Sequence, residues 1–290
     1  MRWLILLLVL ACPNIINAQG FAYPVPPDSI RDRQGRICFM VEHFWNEQTI
    51  ADTACFQSPK LLLDYLYLLK QSEEREADKC IHSFVSLSCN KESTFGLILY
   101  WLDNILYDST SSHYDEGLYL KLLNEVITSD ADSVMKLIPQ QRVDIMCKNQ
   151  VGRRANNFSF VDKRGRESDL YSIEAPMLLL IFNNPDCSLC RQTEERITQS
   201  EELKALLSGR KLKVLAITPD ADYNDWLQHT YPPDWLVGYD KENAIYTQRL
   251  YDIQRLPCIY LLYKNKRVLL KEADYGRLCN YLLENKYVLK

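Results

Sequence analysis

Between Pro176 and Pro185 the chain runs through six consecutive apolar residues, Met177 to Phe182. A run this short, closed by proline on both sides, reads as a β-strand with both faces buried. Such a strand needs helices above and below it, so this one segment already demands a layered α/β architecture. Its neighbours agree. Cys187 to Leu207 is amphipathic and ends before Gly209, which predicts a helix. Leu212 to Thr218 is a second apolar run, stopped by Pro219, and Tyr223 to His229 reads as a short helix. A β-α-β unit of this kind gives parallel strands.

The flanks complete a mixed sheet. Phe158 to Val161 alternates apolar and polar, and Asp162 to Gly165 provides turn residues before Leu170, predicting a hairpin. Downstream, Trp235 to Tyr239 reads as an irregular strand and Ala244 to Tyr251 as a helix. Cys258 to Tyr263 and Arg267 to Lys271 form a second hairpin, and Gly276 to Tyr287 a last amphipathic helix.

Ahead of residue 151 the pattern differs. From about residue 30 the spacing is helical throughout, with Phe39, Phe44, Trp45 and the leucines between Leu61 and Leu69 on wide apolar faces. The charged stretch Gln71 to Lys79 is expected as a turn, with further helices around Phe95 to Tyr107 and Gly117 to Ile127. His43, His82 and His113 have no metal-ligand spacing. Val151-Gly152-Arg153-Arg154 breaks the helical period, which places a boundary between an all-α domain, residues 19–150, and an α/β domain, residues 151–290. A chain of 290 residues suits two domains.

The N-terminus bears on the compartment. Arg2 precedes an apolar run from Trp3 to Cys12 that is too short to span a bilayer. With Pro13 and the small-residue site at Ile16-Asn17-Ala18, residues 1–18 read as a secretory signal peptide cleaved before Gln19. The competing reading takes Val9-Leu10-Ala11-Cys12 as a lipoprotein box with Cys12 lipidated. Either route leads to the periplasm or cell envelope. A net charge of −4 offers no basic field for a phosphate backbone, so nucleic acid is not an expected partner.

Ten cysteines in an exported chain invite disulfides. Six of them, Cys38, Cys55, Cys80, Cys89, Cys147 and Cys279, lie in apolar or helical patterns; Cys80 and Cys89 are the pair whose spacing suggests a bridge. Cys187-Ser188-Leu189-Cys190 is of another kind, because it stands where a buried strand ends and a helix starts. There the unsatisfied N–H groups and the helix dipole favour a thiolate, so Cys187 is the expected nucleophile. Cys190, three residues on, is placed to resolve a mixed disulfide.

Strand, Asn183-Asn184-Pro185-Asp186, CxxC at a helix start and Leu256-Pro257 before a later strand together resemble the thioredoxin fold over residues 151–290. The resemblance implies that Pro257 is the cis-proline facing the dithiol and that the main chain of Leu256 docks an incoming peptide. The leading hairpin resembles the extracytoplasmic TlpA-like branch, whose members exchange disulfides with envelope proteins. The helical region, opening with Val41-Glu42-His43-Phe44-Trp45, resembles a domain of unknown function common in exported Bacteroidota proteins.

Three departures limit what is carried over. Asp186 replaces the tryptophan that often precedes the first cysteine, and its charge opposes a thiolate. Ser188-Leu189 contains no histidine, which points to a reductant or mild exchanger rather than a strong oxidant. No acid lies within Met177 to Phe182, where thioredoxin keeps its buried proton acceptor.

Other chemistries fit less well. A structural zinc site needs four ligands and CxxC gives two, with Cys258 and His229 the conceivable others; a peroxidase arrangement lacks its threonine. Cys258, next to Pro257, is read mainly as strand packing. The expected function is therefore an exported thiol-disulfide oxidoreductase, with no cofactor or metal, acting on protein thiols or disulfides of the envelope and recharged by a membrane electron donor. The alternative is a binding protein in which the thioredoxin-like half is a scaffold and Cys187–Cys190 a structural disulfide.

Overall fold

A computed structural model describes residues 21–285. The expected signal segment with Cys12, and the end of the last expected helix beyond Asn285, lie outside the described residues. The chain divides into two compact units between Val143 and Asp144.

In the first unit the described elements are helical: α1 Arg33–Glu42, α2 Glu47–Ala51, α3 Lys60–Gln71, α4 Glu74–Cys89, α5 Glu92–Leu102 and α6 Glu116–Thr128. A further helix, α7 Ser133–Met146, runs through the point of division. Their starts are written in capping residues. Asp32 accepts from the Gly35 amide, Asn46 and Thr49 form a reciprocal box, and Asp115 accepts from the Leu118 amide. The core is aromatic. Phe44, Trp45, Tyr65 and Phe84 pack in tilted and edge-on pairs with ring centroids 5.0–6.0 Å apart, and the Tyr65 hydroxyl donates to the Cys80 carbonyl at 3.0 Å.

Two sequence expectations fail in this unit. Gln71 to Lys79 is no turn: only Ser72 and Glu73 separate α3 from α4, and Glu74 and Glu76 sit in the first turn of α4, where acidic side chains complement the helix dipole. Cys80 and Cys89 cannot bridge. Both lie on the single rod of α4, and nine residues at about 1.5 Å each hold them some 13 Å apart, twice the reach of a disulfide.

The second unit is a seven-stranded mixed sheet in the order β2-β1-β5-β4-β3-β6-β7. Its strands are β1 Ser159–Val161, β2 Glu167–Asp169, β3 Met177–Phe182, β4 Leu212–Thr218, β5 Leu236–Tyr239, β6 Cys258–Leu262 and β7 Val268–Ala273. β3 is central, parallel to β4 and antiparallel to β6, and every residue of it is buried. The helices are α8 Ser188–Gln199, α9 Glu201–Ser208, α10 Tyr223–Gln228, α11 Ala244–Thr247 and α12 Tyr275–Glu284. On one face Leu179 and Ile181 of β3 meet Ile197, Leu203, Leu278 and Leu282 from α8, α9 and α12. On the other, Leu178, Leu180 and Phe182 meet Phe158, Ile245 and Tyr251.

This is a thioredoxin-like fold preceded by a helical region, with three local corrections. The helix expected from Cys187 to Leu207 is two, because Ser200 leaves the helical conformation and its hydroxyl caps α9 by accepting from Leu203 N. The one expected from Ala244 to Tyr251 stops at Thr247, and Arg249 takes a left-handed φ of 48°. The irregular strand is a regular parallel partner of β4, pairing Leu215 with Leu236 and Thr218 with Tyr239.

Candidate functional site

β3 delivers the chain directly to the dithiol. Its hydrogen bonding runs one residue past Phe182, where Asn183 N donates to Ile217 O, and a turn then forms on Asn184. Asn184 Oδ1 accepts from Asp186 N at 2.9 Å, its main-chain oxygen accepts from Cys187 N at 3.1 Å, and its side-chain amide ties the turn to Asp220 O at 2.8 Å. Cys187 is thereby set as the N-cap of α8.

At that position its sulfur takes the place of a capping oxygen. Cys187 Sγ accepts from Cys190 N at 3.3 Å, at the end of the helix where the dipole and free amides stabilise negative charge. Across from it, Sγ lies 3.8 Å from the Leu256 carbonyl, and the Leu256–Pro257 peptide bond is cis. The four predicted residues Cys187, Cys190, Leu256 and Pro257 thus meet where the central strand β3 ends and β6 begins. They differ in access. Cys187 is partly exposed and Leu189 half-exposed, whereas Cys190 has no exposed surface. Burial first, then the hydrogen bond with Cys187 and the charge of Glu194, raise the Cys190 thiol far above the ordinary range, so it keeps its proton at neutral pH.

Glu194 is the residue that the sequence reading passed over. The missing acid of the strand is supplied from the helix: Glu194 stands one turn beyond Cys190 on the same face of α8 and is 7% exposed. Its two oxygens are both engaged. Oε1 accepts from Asn183 Nδ2 at 2.7 Å, and Oε2 is 3.2 Å from His229 Nε2. Asn183 Oδ1 in turn accepts from Thr218 Oγ1 at 3.2 Å and from the Tyr231 hydroxyl at 3.4 Å. A legible signal existed, since Cys190, Glu194 and Ile197 follow the i, i+4, i+7 spacing of the buried stripe and an acid there has to be partnered.

The remaining candidates separate. The Asp186 side chain is exposed. Cys258 is buried, with Sγ 3.9 Å from Asp252 O, and clusters with Phe182 and Tyr260 on the sheet face opposite α8. His229 pairs with Glu194 rather than with the cysteines. Among the described residues no group of three or more His, Cys, Asp or Glu side chains is arranged to hold a metal ion.

Residues 12–149 match a domain of unknown function (DUF5106). A thioredoxin-like protein from Bacteroides caccae, known from its crystal structure, is 32% identical; the alignment covers 91% of this chain and 98% of that one, with a TM-score of 0.72. The C-terminal domain of an uncharacterized protein from Bacteroides fragilis is 38% identical over 47% of this chain and 99% of its own, with a TM-score of 0.46. The thioredoxin domain of a thiol-disulfide oxidoreductase from Bacteroides vulgatus is 19% identical over 48% of this chain and 98% of its own, with a TM-score of 0.41. No curated protein matches the chain significantly.

Proposed function

Because this chain belongs to the family of thioredoxin-like proteins, we propose that it is an exported thiol-disulfide oxidoreductase of the cell envelope, whose Cys187–Cys190 pair exchanges disulfides with client proteins. The observation that carries this reading is the asymmetry of the pair: an accessible sulfur hydrogen-bonded at a helix N-terminus, backed by a buried thiol that holds its proton. A structural disulfide has no use for that asymmetry, whereas exchange needs it.

The chemistry follows from the geometry. Cys187, as thiolate, attacks a client disulfide; one client sulfur leaves with the electron pair, and a mixed disulfide joins Cys187 to the other. Docking falls to the Leu256 main chain and the apolar side chain of Leu189, both beside Cys187. Cys190 then gives its proton to the Glu194 carboxylate and its sulfur attacks Cys187 Sγ, releasing the second client thiol and leaving Cys187–Cys190 oxidised. Two electrons have moved from the dithiol to the client. A membrane electron donor has to restore the dithiol for turnover in this direction. No cofactor enters the scheme. With Asp186 beside the nucleophile and no histidine between the cysteines, a reductant or mild exchanger is the direction favoured.

The deciding measurement is the reduction potential of the Cys187–Cys190 pair in the mature protein, read by thiol trapping across redox buffers. A value between roughly −120 and −270 mV, the span of dedicated oxidoreductases, supports the reading. A pair that stays oxidised well below about −300 mV overturns it in favour of a structural bridge.

A further inference from the structure

Behind Cys190 the polar groups form a graded path outward. Cys190 is fully buried, the Glu194 side chain is 10% exposed and the His229 side chain 15%. Glu194 Oε2 and His229 Nε2 are 3.2 Å apart, and the imidazole packs edge-on against Tyr231 at 4.5 Å between centroids. His229 lies outside the CxxC helix, on the segment that leaves α10. That segment is held from a third element. Lys163, in the turn of the β1–β2 hairpin, donates from Nζ to the carbonyls of Trp226, to Leu227 at 2.9 Å and to His229 at 2.8 Å. One ammonium thus ties down the C-terminal end of α10 and the backbone of the histidine. A four-carbon side chain spent on three main-chain oxygens fixes where the imidazole can sit.

We propose that His229 is the positioning residue through which Glu194 is emptied of the proton it takes from Cys190, with Lys163 holding it in place. The proposal rests on the dithiol-exchange reading and adds to it a route to solvent. When Cys190 attacks Cys187, its S–H bond breaks, the new S–S bond forms, and the electron pair of the Cys187–client bond leaves on the client sulfur. The proton passes to Glu194, then from Oε2 to His229 Nε2; the imidazole releases the proton on Nδ1 to solvent, and proton exchange with solvent returns the ring to its Nδ1–H form. The carboxylate is restored for the next turnover.

The groups facing the pair leave His229 as the one able to pass a proton on. From α8 come Cys190, which keeps its proton until the step itself, and Cys187; from the hairpin turn comes Lys163, bound to carbonyls; from the segment after α10 comes Tyr231, which burial raises to about 12. Asn183 and Thr218, at the ends of β3 and β4, do not titrate. Of side chains in an ordinary setting, only imidazole both takes and gives a proton near neutral pH.

The test is stopped-flow reduction of 5,5′-dithiobis(2-nitrobenzoate) by the reduced chain with Cys12, Cys38, Cys89, Cys147 and Cys279 replaced by serine, because accessible thiols outside the pair release chromophore of their own; one chromophore then marks attack by Cys187 and a second marks resolution by Cys190. The expected result is a second phase in the wild type that slows in deuterium oxide, as a proton relay requires. His229→Gln should slow the second phase about tenfold or more and leave the first phase unchanged. Imidazole added to His229→Ala should restore the rate. A wild-type second phase with no solvent deuterium isotope effect overturns the proposal even if the variants do not fold. So does a His229→Gln second phase equal to wild type. A wild type that releases only one chromophore overturns the dithiol-exchange reading itself, a separate outcome.

Discussion

Asn183 Nδ2 and Glu194 Oε1 are joined at 2.7 Å, linking the residue that ends the central strand to the helix that carries the dithiol. Both are buried, so each polar group depends on a protein partner. The contact fixes Glu194 against the face of α8 that Cys190 shares. In the proposed exchange chemistry it also gives Cys190 a fixed proton acceptor one turn along the same helix face.

Glu194→Gln keeps the shape and the oxygen that Asn183 needs but removes the acceptor. Two effects then oppose each other. Loss of the base slows attack by Cys190, and loss of the negative charge makes the Cys190 thiol easier to ionise, since Glu194 contributes to raising it. At neutral pH the first should win, because the thiol is still far from ionising on its own. The expected outcome is a resolving step slowed by roughly 100-fold near pH 7 that recovers towards wild type in alkaline solution. The pH profile of the second chromophore phase checks it, and a uniform loss at all pH values would contradict it.

The two cysteines should fail differently. Cys187→Ser removes the accessible sulfur and should abolish disulfide reduction entirely. Cys190→Ser should still attack and then stall, accumulating a mixed disulfide on Cys187 that survives non-reducing gels and adds the client mass to the chain. Mass spectrometry after incubation with an oxidised client peptide reads both outcomes; equal activity of both variants would refute the assigned order of attack.

How much of this was legible beforehand depends on range. The strand Met177–Phe182 and the cysteines after it were readable because six apolar residues between prolines admit one local structure, and that structure ends where α8 begins. The break at Ser200 was not, although Ser200 precedes Glu201 and Glu202, a usual helix start; the apolar stripe continues across it and hides the cap. Gln71 to Lys79 misled for the converse reason. Dense charge looked like a loop, whereas its acids stabilise the first turn of α4. In the site, Cys187 and Cys190 declare themselves by spacing. Leu256 is legible only through the family resemblance, and His229 not at all, because both reach the dithiol from segments far off in sequence that the fold brings together.

The raised Cys190 thiol also predicts a pH-dependent stability for the dithiol form. In the unfolded chain a cysteine loses its proton near pH 8.5, while in the folded chain Cys190 retains it well above that. From that point upward the unfolded state binds fewer protons than the folded state, so stability falls as pH rises; below about pH 8 both states are protonated and nothing is lost. By pH 10 the loss attributable to this group is of order 2 kcal/mol. Thermal melts of the reduced protein at pH 7 and pH 10 should therefore show a larger fall in Tm for the wild type than for Cys190→Ala, which lacks the proton. Equal falls would show that the thiol ionises no later in the fold than outside it.

Gly238 tests the packing that holds the leading hairpin to the sheet. It sits on β5 opposite Ile217 of β4, and a β-carbon built there would lie 2.3 Å from Phe160 Cδ2 and 2.7 Å from Ile217 Cδ1. Both neighbours are buried, Phe160 coming from β1, so neither ring nor methyl has open space to retreat into. Gly238→Ala should overpack this junction and cost about 1–3 kcal/mol of the sheet unit's stability, read as a lower urea midpoint with an unchanged slope. Because β1 pairs with β5 through Val161 and Tyr239 alone, the strain falls on a junction with a single ladder contact. Phe160→Leu in the same chain removes part of the ring that the methyl strikes, so the double variant should lose less than the two single losses combined. Strict additivity would mean that the alanine is accommodated by a shift of β5 rather than by pressure on Phe160.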